Sequence, residues 1–182
     1  MKDLSMHIMD IAQNSISAKA TWIKIEIVEN MDEDNYAIII EDNGFGMSPE
    51  LVASVTDPYV TTRTTRKIGL GIPLLKQNAE RTEGNFNISS EEGVGTKVIA
   101  NFTLNHPDRP PIGDIAGTIV LLSAANPNVT IQYHHVTNTG EYTFDTAEIT
   151  KTLDDVSITE PSVIRFLKEM INENLNELKI SR

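Results

Sequence analysis

The 182-residue chain contains no cysteine. Disulfides, Cys-ligated zinc and Cys-ligated iron–sulfur clusters are therefore excluded, and a reducing compartment fits without being required. Positive charge is scarce too: 15 Lys and Arg stand against 26 Asp and Glu, a net charge of −11. That balance opposes non-specific binding to nucleic acid or to an anionic membrane. Long apolar runs are missing. No stretch approaches the ~20 apolar residues of a membrane span, and the opening MKDLSMHIMDIAQN lacks the uninterrupted apolar core of a signal peptide. The expectation is a soluble, cytoplasmic protein with neither nucleic acid nor membrane among its partners. Apolar content is that of an ordinary globular protein, and the length allows one domain, or one plus a sizeable appendage.

The periodicities give a coarse map. Residues 3–19 read as a helix, with Leu4, Ile8, Ile11 and Ser15 on one stripe. Residues 22–28 and 36–41 read as strands separated by the acidic turn MDEDN. A short helix capped by Ser48 follows at 49–55, then a polar, threonine-rich loop at 57–69. A helix runs from Gly71 to about Glu83, with Pro73 confined to its first turn. Strands at 85–89 and 97–104 are joined by the turn EEGVG. NHPDRPP (105–111) then packs three prolines into seven residues and reads as a domain boundary or hinge. It divides a domain at 1–104 from an extension at 105–182. The extension reads as an apolar helix (about 112–125), a hairpin (129–136 and 141–145) turning at TNTG, and two further helices. Asp145 and Glu148 have capping-box spacing for the first of these. The second, about 161–179, carries Ile164, Leu167, Ile171, Leu175 and Leu178 on one stripe. His134 and His135 lie on a strand, where alternation sends them to opposite faces and opposes a paired metal site.

Four short pieces carry residue types suited to chemistry. His7, Asp10 and Asn14 share a helix face, three and four residues apart. A carboxylate and an amide oxygen so placed can hold Mg²⁺ and orient a water, or they can simply form a solvated polar face. Asp42-Asn-Gly44-Phe-Gly46-Met47 follows a strand, which delivers a carboxylate to a pocket edge while the glycines admit a flat ligand; an ordinary Asn-Gly turn is the alternative. In DPYVTTRTTRKIGLGIPLL (57–75), Gly69 and Gly71 flank a helix start whose amides and dipole favour an anion. Arg63, Arg66 and Lys67 concentrate there three of the nine Lys and Arg residues of the first 104 positions. That concentration reads as phosphate neutralisation, against a plain solvated loop. Finally, GVGT (93–96) is a glycine turn with Thr96 leading into a strand.

In order and spacing these pieces resemble the ATP-binding domain of the GHKL superfamily, which includes gyrase, Hsp90, histidine kinases and MutL. The Asn14 helix is similar to the N-box, EDNGFGM to the first glycine box, DPYVTTR to the F-box stretch, GLG (69–71) to the second glycine box and GVGT to the third. The resemblance covers about residues 3–104. It implies an α+β Bergerat fold, an α/β sandwich of a mixed sheet with helices on one face and ATP beneath a lid. It further implies that Asp42 accepts a hydrogen bond from the adenine amino group and that Gly44 and Gly46 make room for base and ribose. Asn14 would ligate Mg²⁺. Residues 61–71 would form the lid, with Thr62, Arg63, Arg66 and Lys67 in it and the Gly69, Leu70 and Gly71 amides on the phosphates. Thr96 would lie near Asp42 and share a water with the adenine.

The sequence departs from its relatives at Asp10, four before the N-box Asn, where ATP-hydrolysing members and serine kinases of this type carry Glu as general base. A carboxylate there can activate water or a hydroxyl, but Asp is one methylene shorter. The lysine that kinases often place three after the Asn is replaced by Ser17. The domain starts at the first residues with no phospho-acceptor hairpin before it, so the expected role is regulatory: a stand-alone kinase-like domain that binds ATP·Mg²⁺ and acts on a separate protein partner. A slow ATPase switch using Asp10, and an ATP-sensing module without chemistry, remain alternatives, and a homodimer stays open.

Overall fold

The computed structural model describes residues 2–56, 71–154 and 156–181. Alternation of apolar side chains builds the sheet. In β1 (Trp22–Asn30), Ile23, Ile25 and Ile27 are fully buried while the intervening Lys24 and Glu26 are not. β2 (Asn35–Asp42) pairs antiparallel with β1 and buries Tyr36, Ile38 and Ile40 on the same side. Burying one such isoleucine contributes about 1.5–3 kcal/mol. β4 (Gly95–Thr103) pairs with β2 and carries Val98, Ala100 and Phe102 into this layer; β3 (Asn85–Glu91) closes that edge.

Helices cover one face. α1 (Leu4–Ser17) begins at Asp3, whose carboxylate accepts the Met6 N–H at 3.0 Å. Its buried stripe of Leu4, Ile8, Ile11 and Ala12 seats on the isoleucine layer. α2 (Pro49–Val55) is capped by Ser48, with Pro in its first turn. α3 (Gly71–Arg81) lies beside α1 and over β3 and β4.

The remaining residues extend the same architecture. α4 (Ile115–Ala125) starts later than the sequence suggests, because Gly113 takes φ +75° and Asp114 caps the helix by accepting the Gly117 N–H at 3.0 Å. β5 (Thr130–Thr137) lies parallel beside β1, and β6 (Gly140–Asp145) completes a six-stranded sheet of order β3-β4-β2-β1-β5-β6. The other four pairings are antiparallel. α5 (Thr146–Leu153) is capped by Asp145 through the Ala147 N–H, and α6 (Pro161–Glu177) packs Val163, Leu167, Ile171 and Leu175 into the core against α4.

The division of the chain at residue 104 is thus a division by sequence; both segments feed one sheet and one apolar core. The proline-rich stretch between them is pinned in place. Asn105 N–H donates to Asp34 at 2.9 Å, Arg109 Nε donates to the Leu104 carbonyl at 2.7 Å, and its guanidinium lies 4.7 Å over the Tyr36 ring. The Pro111 and Ile112 carbonyls accept from Leu4 and Ser5 at the start of α1. On β5 the two histidines part as alternation requires. His134 lies on the open face with Glu26 and Glu141, while His135 is buried with Glu29 and Tyr133.

Candidate functional site

A cavity of about 370 Å³ opens between α1, α2 and the ends of β2 and β4, within the range of small-molecule pockets. Its walls are mostly apolar, from Ile11, Ile40, Met47, Leu51, Ile72 and Val98. Polar groups gather at two places in and beside it.

The first is Asp42, which ends β2 and is 9% exposed. Its Oδ1 accepts the Gly44 N–H at 2.8 Å and its Oδ2 accepts the Ser15 hydroxyl at 2.6 Å. Each oxygen keeps a second acceptor direction for a ligand. Thr96 sits directly across from Asp42 on β4. Ser90 accepts the Met47 N–H at 2.9 Å, donates to the Gly95 carbonyl at 2.8 Å and lies 2.9 Å from the Thr96 hydroxyl. Because Ser90 has spent its one proton on Gly95, Thr96 is the donor in their contact, and its oxygen still has acceptor capacity.

The second is the polar row on α1. Asn14 lines the cavity and its Nδ2 is buried without a hydrogen-bond partner among the described residues. One turn earlier, Asp10 Oδ2 is in the same condition. Its carboxyl group lies against the α-carbon of Gly71, where an added Cβ would fall 1.8 Å from Oδ2. One turn earlier again, His7 is buried, and its Nε2 lies 2.9 Å from the Asn78 amide nitrogen on α3. Burial lowers the His7 pKa to about 4.

The glycines of the loop after β2 accommodate the chain itself. A Cβ at Gly44 would meet Ala18 at 2.9 Å, and one at Gly46 (φ +66°) would fall 1.9 Å from the Glu91 carbonyl oxygen. Their absence of side chains lets the loop press between α1 and the β3–β4 turn, which is what delivers Asp42 to the cavity. Asn43 fastens the same loop, its Oδ1 accepting the Thr21 and Trp22 N–H groups, both at 2.9 Å.

Of the residues singled out in the sequence, Asn14, Asp42, Gly46, Met47 and Thr96 line one cavity. Gly44 packs behind it, and Asp10 and Gly71 meet at its α1–α3 border. Thr62, Arg63, Arg66, Lys67, Gly69 and Leu70 fall outside the described residues. Ser15, Ser90 and Asn43 were not singled out. Ser15 carried a signal, a hydroxyl inside an otherwise apolar stripe; Asn43 is an ordinary turn residue with partners 21 and 22 residues away, and Ser90 an ordinary strand residue whose link to Met47 spans 43.

Residues 2–107 match the family "Histidine kinase-, DNA gyrase B-, and HSP90-like ATPase". The chain belongs to this family. It is 29% identical over 108 residues to a protein named NtrY-like sensor histidine kinase in Rickettsia conorii, covering 59% of this chain and 18% of that protein. It is 33% identical over 110 residues to the signal transduction histidine-protein kinase AtoS of Escherichia coli K12, covering 60% and 17%. The chain thus spans less than a fifth of either relative. Among solved structures, the N-terminal domain of a DNA repair protein shares the fold, with TM-score 0.58 and 16% identity over 79% of this chain and 52% of that one.

The site fits the ATP-binding role of the family. Apolar walls with a buried carboxylate at one end suit a flat heterocycle that offers an N–H. At the other end the unpartnered Asn14 Nδ2 suits a phosphate or water oxygen, and the Asp10 carboxylate beyond it suits a water or a hydrated cation. Among the described residues no group of three or more His, Asp or Glu side chains is placed to hold a metal. No described helix is long and apolar enough to cross a membrane.

Proposed function

We propose that this protein binds ATP·Mg²⁺ and acts as a kinase-like regulatory domain on a separate protein partner. The observation that supports this best is the pairing of a doubly anchored, buried Asp42 with unpartnered Asn14 and Asp10 atoms along the same helix. In this reading Asp42 accepts from the adenine amino group, and Ser15 and Gly44 hold its carboxylate in the receiving orientation. Thr96 offers an acceptor beside it. Asn14 turns its amide oxygen to Mg²⁺. When bound, ATP·Mg²⁺ supplies the transferable phosphoryl group and neutralises its charge. Asp10 takes the proton from the attacking hydroxyl. Lid residues 61–71, with Arg63, Arg66 and Lys67, are assigned to the phosphates on the family resemblance alone, and residues 105–182 to the partner.

A slow ATPase switch is the second reading, and one observation favours it. The carbonyls of Pro111 and Ile112 bond the first turn of α1, and α4 packs on that helix, so a shift of α1 on nucleotide binding reaches the C-terminal segment.

The test uses the full chain with Mg²⁺ and γ-labelled ATP, following free phosphate and label on added cell protein, beside Asp10→Asn. Label on a partner, lost in the variant, supports the kinase reading; phosphate release lost in the variant supports the switch. Wild-type protein that fails to bind ATP at all would sink both.

A further inference from the structure

His7 has no role in what precedes, yet it stands one turn below Asp10 in the seam between α1 and α3. The two helices run antiparallel there, with Asp10 against Gly71 and His7 against Asn78. An imidazole has two nitrogens, and the surroundings decide which carries the proton. The Asn78 amide nitrogen can only donate, so His7 Nε2 must be the acceptor of that 2.9 Å contact. The neutral ring therefore carries its proton on Nδ1. Nδ1 is buried without a well-formed hydrogen bond among the described residues; the Gly71 backbone interacts with the ring but does not complete one. Asp10 Oδ2, three residues on, is buried with no hydrogen-bond partner among the described residues. One is a donor whose bond is not completed and the other an acceptor without a donor, on one helix face about 4.5 Å apart along the axis. A buried donor and a buried acceptor left unmade are both costly, so the two complementary defects side by side call for a connection.

We infer that His7 is a positioning residue for Asp10: Asn78 fixes the imidazole, and its Nδ1–H donates to the Asp10 carboxylate, directly or through one buried water. The effect is to hold one carboxylate oxygen back toward the α1–α3 seam and leave the other facing the Asn14 end of the cavity. This compensates for the short reach of Asp by fixing its direction. The same arrangement has the histidine act as a neutral donor near neutral pH, because burial lowers its pKa to about 4. The proposal rests on the reading of Asp10 as the base, and the measurement below separates the two.

The ¹⁵N-labelled full chain would be studied by long-range ¹H–¹⁵N correlation of its histidine side chains. The expected result is a neutral His7 with its proton on Nδ1, and an Nδ1 resonance that moves in Asp10→Asn. A proton on Nε2, or an Nδ1 resonance indifferent to Asp10→Asn, would overturn the inference. Variants give a second arm. Asn places a donor where Nδ1 stood and Gln places one where Nε2 stood. His7→Asn should therefore keep most phosphate release or phosphoryl transfer, while His7→Gln should lower kcat about tenfold with KM little changed. Equal losses in the two would count against it. If Asp10→Asn leaves turnover intact, the base reading fails, and the resonance test of the His7–Asp10 connection still stands.

Discussion

Ser15 shows how one hydroxyl can matter more than its neighbours suggest. It lies in the apolar stripe of α1 and donates to Asp42 at 2.6 Å from inside the core. A hydroxyl donor to a charged carboxylate is worth about 1.5–3 kcal/mol. Ser15→Ala should therefore weaken ATP binding by about tenfold or more, whereas Asp42→Asn, which replaces an acceptor with a donor, should weaken it further; isothermal titration with ATP analogues would read both. Unchanged affinity in Asp42→Asn would remove the adenine from that corner. His7 carries a prediction about pH. Its folded pKa of about 4 lies below the unfolded 6.5, so between those values the unfolded chain binds a proton that the native chain refuses. Stability is then complete above pH 6.5 and declines as pH falls toward 4, by at most about 3 kcal/mol from this group. In His7→Phe the slope of unfolding free energy against pH across that window should flatten, measured by urea denaturation at a series of pH values.

At the scale of elements, the helix ends carry an unexpected chemistry. Three helices close with the same paired bonds, and none has glycine at the left-handed position. After α1, Ala20 N–H reaches the Ser15 carbonyl and Lys19 N–H the Ile16 carbonyl, with Lys19 at φ +62°. Glu83 (φ +60°) does the same after α3, and Lys179 (φ +53°) after α6. A non-glycine residue in that region carries a cost of about 1 kcal/mol. Lys19→Gly should thus raise stability by about 0.5–1 kcal/mol, seen as a higher urea midpoint with an unchanged slope. Lys19 also borders the cavity, so nucleotide affinity measured on the same variant would show whether the lysine is kept there for the ligand. These ends explain why the sequence reading overran α1 and α3 by about two residues: without glycine, nothing in the local pattern marks the stop.

At the scale of the whole molecule, the seam between the matched family segment and the remainder is the parallel pairing of β1 with β5. The single tryptophan reports on it. Trp22 starts β1, and its indole N–H donates to Gln132 of β5 at 3.0 Å. Unfolding followed by Trp22 fluorescence and by far-ultraviolet circular dichroism should give one coincident transition. Two separated transitions would mean that the segments unfold independently. Cutting the chain after Leu104 would bare the β1 edge and the part of α1 that α4 covers, and would take the buried Ile115, Ile119 and Leu122 out of the shared core. The fragment should aggregate or lose cooperativity, because an unpaired, flat, apolar edge invites association.

The sequence by itself determined the periodic elements and the family, because both are local. The isoleucine alternation of β1, the Ser48 and Asp145 caps and the order of the glycine boxes all act within a few residues. It also named the cavity's Asn14, Asp42, Gly46, Met47 and Thr96, whose spacing is tied to those elements. What only the tertiary structure decided are contacts between distant positions. Ser15 finds Asp42 27 residues away, His7 finds Asn78 71 residues away, and Gly71 is a glycine because the Asp10 carboxyl occupies the place of its side chain. The joining of residues 105–182 to the same sheet belongs with these. Three prolines read locally as a hinge, but strand pairing between Trp22 and Thr130 is a long-range hydrogen-bond and burial decision, and no local pattern encodes it.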